Sequence, residues 1–85
     1  MKYFVYILQS LKDNKYYIGY TTDVYKRLEF HNSGKQRSTK SRIPFKVVHV
    51  EEFKVKSEAL KREKQIKSYK GGEAFKLLLK NSSGR

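Results

Sequence analysis

The chain of 85 residues is long enough for one domain and not for two, and it contains no cysteine, which excludes disulfides, zinc ribbons and thiol catalysis together. Twenty Lys and Arg face eight Asp and Glu, a formal net charge of +12, so the chain carries a field that attracts polyanions. Nucleic acid is the first candidate partner, while an anionic membrane or an acidic protein would satisfy charge alone.

In chain order, Met1-Lys2 precedes the apolar run Tyr3 to Leu8, which looks like the opening of a signal peptide. The run is too short for that role and meets Gln9, Lys12, Asp13 and Asn14 with no small-x-small cleavage site. No stretch approaches the roughly 18 apolar residues of a membrane span. The expectation is a soluble, unprocessed chain of the reducing cytoplasm, with no membrane partner.

Tyr3 to Ser10 is rich in aromatic and β-branched residues and reads as a strand. Lys12 to Lys15 is a turn, and Tyr16 to Tyr20 is a second strand, so the two runs form a β-hairpin. Thr22 or Asp23 supplies an N-cap for a helix running to His31 or Asn32, with Val24 and Leu28 inward and Gly34 as its stop. Ser33 to Arg42 is a polar loop without periodicity. Pro44 opens the next element, and Phe45 to Phe53 reads as a third strand. Ser57 caps a second helix from Glu58 to about Tyr69, which Gly71-Gly72 breaks. Glu73 to Leu79 is a short final helix, and residues 81–85 are a frayed, disordered tail. The expected fold is α+β: ββαβα plus a C-terminal helix, with helices flanking a small, largely antiparallel three-stranded sheet. Residues 1–80 form the domain.

Helical wheels place polar groups where a core should be. With Ala59 at zero and about 100° per residue, Ile66 falls about 20° to one side and Glu63 about 40° to the other. A carboxylate in an apolar stripe needs a partner. The partner is a metal, one of the many Lys and Arg, or water, which a Glu at the edge of the stripe reaches. With Val24 at zero, His31 lies about 20° away and Arg27 about 60° away on the same side, so the two i, i+4 neighbours present together. A lone histidine on such a face is more often a hydrogen-bonded core residue than a catalyst. Five of the seven tyrosines fall in the hairpin region, where Tyr is a favoured strand residue in any case. Tyr17 and Gly19 share one strand face.

The runs Phe4-Val5-Tyr6 and Tyr17-Ile18-Gly19, followed by Arg27, His31 and Glu63, resemble the signature of the GIY-YIG nuclease superfamily. The longer runs Tyr-Ile-Gly-Tyr-Thr-Thr-Asp, Lys-Arg-Leu-Glu-Phe-His and Glu-Ala-Leu-Lys-Arg-Glu-Lys-Gln-Ile-Lys are similar to its small standalone bacterial members. The likeness covers about Tyr3 to Lys70, with several motifs in the right order. It implies roles by position. Tyr6 is the tyrosine of the first motif, and Tyr17 and Gly19 are the tyrosine and glycine of the second. Arg27 is the phosphate-contacting arginine, and His31 is the residue near the reacting water. Glu63 is the single carboxylate that holds one divalent metal ion, Mg2+ or Mn2+. Phe4 stands where the first motif has glycine, and Tyr20 stands where excision-repair members have lysine.

What the resemblance implies is a metal-dependent endonuclease that hydrolyses phosphodiester bonds, of DNA in preference to RNA, through one metal. Such hydrolysis needs an activated water and stabilised charge on phosphorus. Eight acids make a carboxylate-rich two-metal site hard to assemble. Arg27 binds the scissile phosphate, Tyr6 orients phosphate or water, and Tyr17 or His31 takes the water's proton. Gly19 and Tyr20 lie in the substrate path, and Lys35, Arg37, Lys40 and Arg42 of the basic loop track the backbone, as does the face bearing Lys61, Lys64 and Lys67. Two other readings stand beside this one. In the first, the chain is a nucleic-acid-binding module of the same fold without useful turnover. In the second, it is a basic adaptor docked on an acidic partner.

Overall fold

In the computed structural model, which describes residues 1–82, the chain folds as β1 (Tyr3–Ser10), β2 (Tyr16–Thr21), α1 (Val24–Asn32), β3 (Phe45–Phe53), α2 (Lys56–Ser68) and α3 (Glu73–Ser82). This is the α+β arrangement expected of the sequence. The three strands form one antiparallel sheet in the order β2-β1-β3. β1 is therefore the central strand. Its continuous apolar run Val5 to Leu8 is buried on both faces, which is why it shows no alternation.

Helices cover the two faces of the sheet separately. Tyr6 and Leu8 point to one face and pack with Phe45, Val24 and Leu28 beneath α1. Val5 and Ile7 point to the other and pack with Ala59 and Ile66 of α2 and Phe75 of α3. One extra residue in β3 shifts its register against β1 between Ile7 and Leu8, a β-bulge. On the α2 face, Arg62 grips Glu51 of β3 through both carboxylate oxygens at 2.8 and 3.0 Å, and His49 adds a 2.7 Å contact. This half-buried group ties α2 to the sheet edge.

Local chemistry sets the ends of each element. Ser10 closes the hairpin: its hydroxyl accepts from the backbone of Lys12 and Asp13, and Asn14 takes the left-handed conformation that the turn requires. Asp23, rather than Thr22, caps α1 by accepting from the Lys26 amide at 3.1 Å. Gly34, at φ 77°, follows the end of that helix.

Three expected boundaries differ. Ser57 does not cap α2: the helix starts at Lys56 behind an extended Val55 that makes no side-chain cap, and the Val55 carbonyl accepts from Ala59. Ala59, fully buried against the sheet, anchors the first turn instead. The polar loop contains a short 3₁₀ turn, Lys40–Arg42, joined to the hairpin by the Ser10 hydroxyl's bond to the Arg42 carbonyl. Asn81 and Ser82, expected in the tail, continue α3, and the rest of that tail lies outside the described residues. No helix among the described residues is long and apolar enough to cross a membrane.

Candidate active site

Tyr6, Tyr17 and Gly19 come together because of strand pairing. Tyr6 lies opposite Gly19 and Leu8 opposite Tyr17 in the antiparallel ladder, so all four face α1. Gly19 is required by contact: a Cβ there would stand 2.6 Å from the Tyr6 hydroxyl oxygen and 2.8 Å from Cζ. The missing side chain lets the Tyr6 ring cross β2. The Tyr17 ring stacks beside it with centroids 6.4 Å apart.

α1 delivers the other two groups from above. Arg27 and His31 are one turn apart on its inward side, as the wheel requires. The Arg27 Nε–H donates to the Tyr6 oxygen at 3.3 Å, and the same oxygen lies 3.3 Å from His31 Nε2. The Tyr17 ring centroid is 4.6 Å from that of His31. Tyr6 and His31 have almost no exposed surface, whereas Tyr17 and Arg27 are half-buried. Burial holds the Tyr6 phenol above its ordinary pKa in spite of the Arg27 bond, so it stays neutral. Burial, with the Arg27 charge second, lowers the His31 pKa and keeps the imidazole neutral. The bond to Tyr6 holds the Arg27 guanidinium above its usual pKa against partial burial, with Tyr17 adding to the effect. The result is one fixed cation beside two phenol oxygens and a neutral imidazole.

Glu63 approaches from α2. Its side chain is 17% exposed, and its charge reaches Tyr6, whose ionisation it opposes. It pairs with Lys67, one turn on, at 3.4 Å. Among the described residues no group of three His, Cys, Asp or Glu side chains stands together. This donor set, a single hard carboxylate, fits an ion that keeps most of its water and completes its shell with substrate phosphate oxygens, as Mg2+ does.

The remaining candidates divide. Lys35, Arg37 and Lys40 are exposed on the loop after α1. Arg42 is engaged by the fold: it pairs with Asp13 at 3.3 Å, donates to the Tyr16 carbonyl and lies over the Phe45 ring. Tyr20 faces away from Tyr6 and packs against the α2-side cluster, so it is not brought to this group. Sequence reasoning missed two loop residues. Thr39 is buried, with its hydroxyl 3.2 Å from His31 Nδ1, and Gln36 donates to the Tyr17 hydroxyl at 3.4 Å. In a stretch without periodicity, neither carries a signal that separates it from its polar neighbours.

Known proteins resemble this chain along most of its length. The chain is 44% identical over 78 residues to a UPF0213 protein of Staphylococcus haemolyticus, covering 91% of this chain and 94% of that one. It is 45% identical over 82 residues to a UPF0213 protein of Syntrophus aciditrophicus, covering 94% and 93%. The solution NMR structure of the UPF0213 protein BH0048 from Bacillus halodurans superposes with a TM-score of 0.61 at 37% identity, over 96% of this chain and 87% of that one. Residues 2–74 match the GIY-YIG catalytic domain, and the chain therefore belongs to the GIY-YIG family.

Proposed function

We propose that the chain is a divalent-metal-dependent endonuclease that hydrolyses phosphodiester bonds of nucleic acid, DNA in preference to RNA. The observation that carries this reading is the convergence of Arg27 and Tyr6 at 3.3 Å, beside Tyr17 and within the field of the Glu63 carboxylate. Family membership supports a nucleic-acid substrate and a nuclease ancestry.

Each group has a role that its surroundings support. Arg27 donates its Nε–H to Tyr6, which fixes the guanidinium plane; it also interacts with Tyr17, and its remaining Nη hydrogens would bind a phosphate. Tyr17 is half-buried where Tyr6 is fully enclosed, so it is the candidate to meet the reacting water and, as its phenolate, to take the proton. Tyr6 and His31 are buried and mutually bonded, so they orient Arg27 and Tyr17 rather than meet solvent. Glu63 would hold the metal after parting from Lys67. A bound Mg2+ or Mn2+ would polarise a phosphoryl oxygen as a Lewis acid. Exposed Lys35, Arg37 and Lys40 would follow the backbone without reading sequence.

The test is cleavage of labelled single-stranded, duplex, nicked and branched DNA and of RNA, with Mg2+, Mn2+ or chelator, beside Glu63→Ala. The reading expects metal-dependent products that vanish in the variant while binding persists. Salt-sensitive binding without cleavage in any lane would replace it with a binding module.

A further inference from the structure

Thr39 is an anomaly in its loop. Ser38 and Lys40 beside it are exposed, yet Thr39 is 1% exposed and its side chain points inward. A buried hydroxyl is expected to be bonded, and this one has two partners: the Gln36 carbonyl at 3.4 Å and His31 Nδ1 at 3.2 Å. A hydroxyl has one proton to give. The Gln36 carbonyl can only accept; it takes the Thr39 amide at 3.2 Å and, on its other lone pair, the Thr39 hydroxyl, and with the proton placed there the Thr39 oxygen accepts from His31 Nδ1–H. At the other end of the imidazole the directions agree. Arg27 Nε–H donates to the Tyr6 oxygen, which leaves the phenol proton free to point at His31 Nε2, 3.3 Å away.

We propose that Thr39 is a positioning residue that holds His31 as its Nδ1–H tautomer, so that Nε2 accepts from Tyr6 and every bond from Arg27 to Gln36 is oriented the same way. Its functional part rests on the nuclease reading above. Without the Thr39 oxygen, Nδ1–H has no acceptor and the imidazole relaxes to Nε2–H. That proton then competes with Arg27 for the Tyr6 oxygen, and the phenol proton must swing out of the His31 direction toward the substrate side. The Arg27 guanidinium loses the partner that fixes its plane. Gln36 supports the same wall through its bond to the Tyr17 hydroxyl.

The tautomer is read directly from the nitrogen-15 shifts of the His31 ring in mildly alkaline buffer, with no turnover needed. The wild type should show a protonated Nδ1 and a bare Nε2, and an Nε2–H tautomer there would overturn the proposal before any variant is made. Thr39→Ser should keep the pattern, and Thr39→Val, which keeps the shape but not the oxygen, should exchange the two shifts. In cleavage assays Thr39→Val should lower kcat about tenfold, the equivalent of about 1.4 kcal/mol, with KM little changed, and Thr39→Ser should restore it. Exchanged shifts with an unchanged kcat would refute the positioning role. A wild type that cleaves nothing would refute the nuclease reading instead. The shifts would still decide the tautomer: unchanged in Thr39→Val, they overturn the assignment, and exchanged, they support it.

Discussion

Gly19→Ala should be among the most damaging small changes in the molecule. The added Cβ would stand 2.6 Å from the Tyr6 oxygen, 2.8 Å from Cζ and 3.2 Å from Cε1. Three atoms of one rigid ring are involved, so a single rotation of a flexible end cannot relieve the contact. Tyr6 is 1% exposed and holds bonds to Arg27 and His31, so it has no free volume to enter. Overpacking of this kind costs about 1–3 kcal/mol, and weakening a hydrogen bond adds about 0.5–1.5 kcal/mol. A loss of about 2–4 kcal/mol is a large part of the roughly 4–13 kcal/mol available to a domain of 85 residues. With a urea slope of about 1 kcal/mol per molar, the unfolding midpoint should fall by roughly 2 M or more. The cause is isolated by repeating the change in a Tyr6→Leu background, where the new methyl meets space. There the penalty should shrink by at least about 1 kcal/mol, a coupling expected of residues in contact. A Gly19→Ala midpoint near that of the wild type, or equal penalties in both backgrounds, would refute the steric argument.

Arg27→Lys keeps the charge but removes the Nε–H donor and the planar fork, so cleavage should drop about tenfold or more while DNA affinity changes little; undiminished cleavage would exclude Arg27 from phosphate binding. Removing the exposed Lys35, Arg37 and Lys40 together should flatten the slope of log affinity against log salt by about 2–3, whereas Arg42→Ala should act on the urea midpoint instead. His31 has a folded pKa below its ordinary 6.5, so the unfolded chain binds the extra proton first. The His31 contribution is therefore fully present above about 6.5 and lost as pH falls toward the folded value, and His31→Asn should flatten the urea midpoint between about pH 7 and about pH 5. Lys67→Met should tighten Mn2+ binding a few-fold, measured by the loss of the free-ion paramagnetic signal; unchanged affinity would place the metal elsewhere than Glu63.

The elements that bury apolar stripes were legible in the residues. β1 is an apolar run because it is covered on both faces, and Val24 and Leu28 face inward because both pack on Tyr6, Leu8 and Phe45. The wheels also placed Arg27 and His31 on one side of α1, and the strand period placed Tyr17 with Gly19. What the residues did not reveal is which polar group meets which. Arg42 looks like its loop neighbours Lys35 and Lys40, yet it is drawn in by Asp13, twenty-nine positions away in sequence, and by the Phe45 ring. Thr39 looks like Ser38. Its burial follows from the path of a loop whose ends are fixed by α1 and by the Ser10–Arg42 bond, and no local pattern encodes such a path. Tyr20 stands where excision-repair members of the family have a lysine, but the period of two turns it to the face opposite Tyr6.

The acids explain why a single carboxylate would serve this site. Of the eight, Asp23 caps α1, Asp13 accepts from Lys15 in the hairpin turn and pairs with Arg42, and Glu52 pairs with Lys2. Glu51 is gripped at both oxygens by Arg62 and touched by His49, which together outweigh its burial and hold it below the usual carboxylate pKa. Glu29, Glu58 and Glu73 are exposed, and exposed carboxylates in water hold a divalent ion weakly. Glu63 differs from both groups. It is half-buried, so its charge is less screened than theirs, yet it pairs with a lysine that is 55% exposed at 3.4 Å rather than with a bidentate arginine. A mostly exposed ammonium on a flexible stem moves away into water at little cost. Glu63 thus joins two properties that Glu52, on its exposed lysine pair, does not, being half-buried and having a replaceable partner, and in a chain of net charge +12 it is the acid to which a metal could bring a phosphate without breaking the fold.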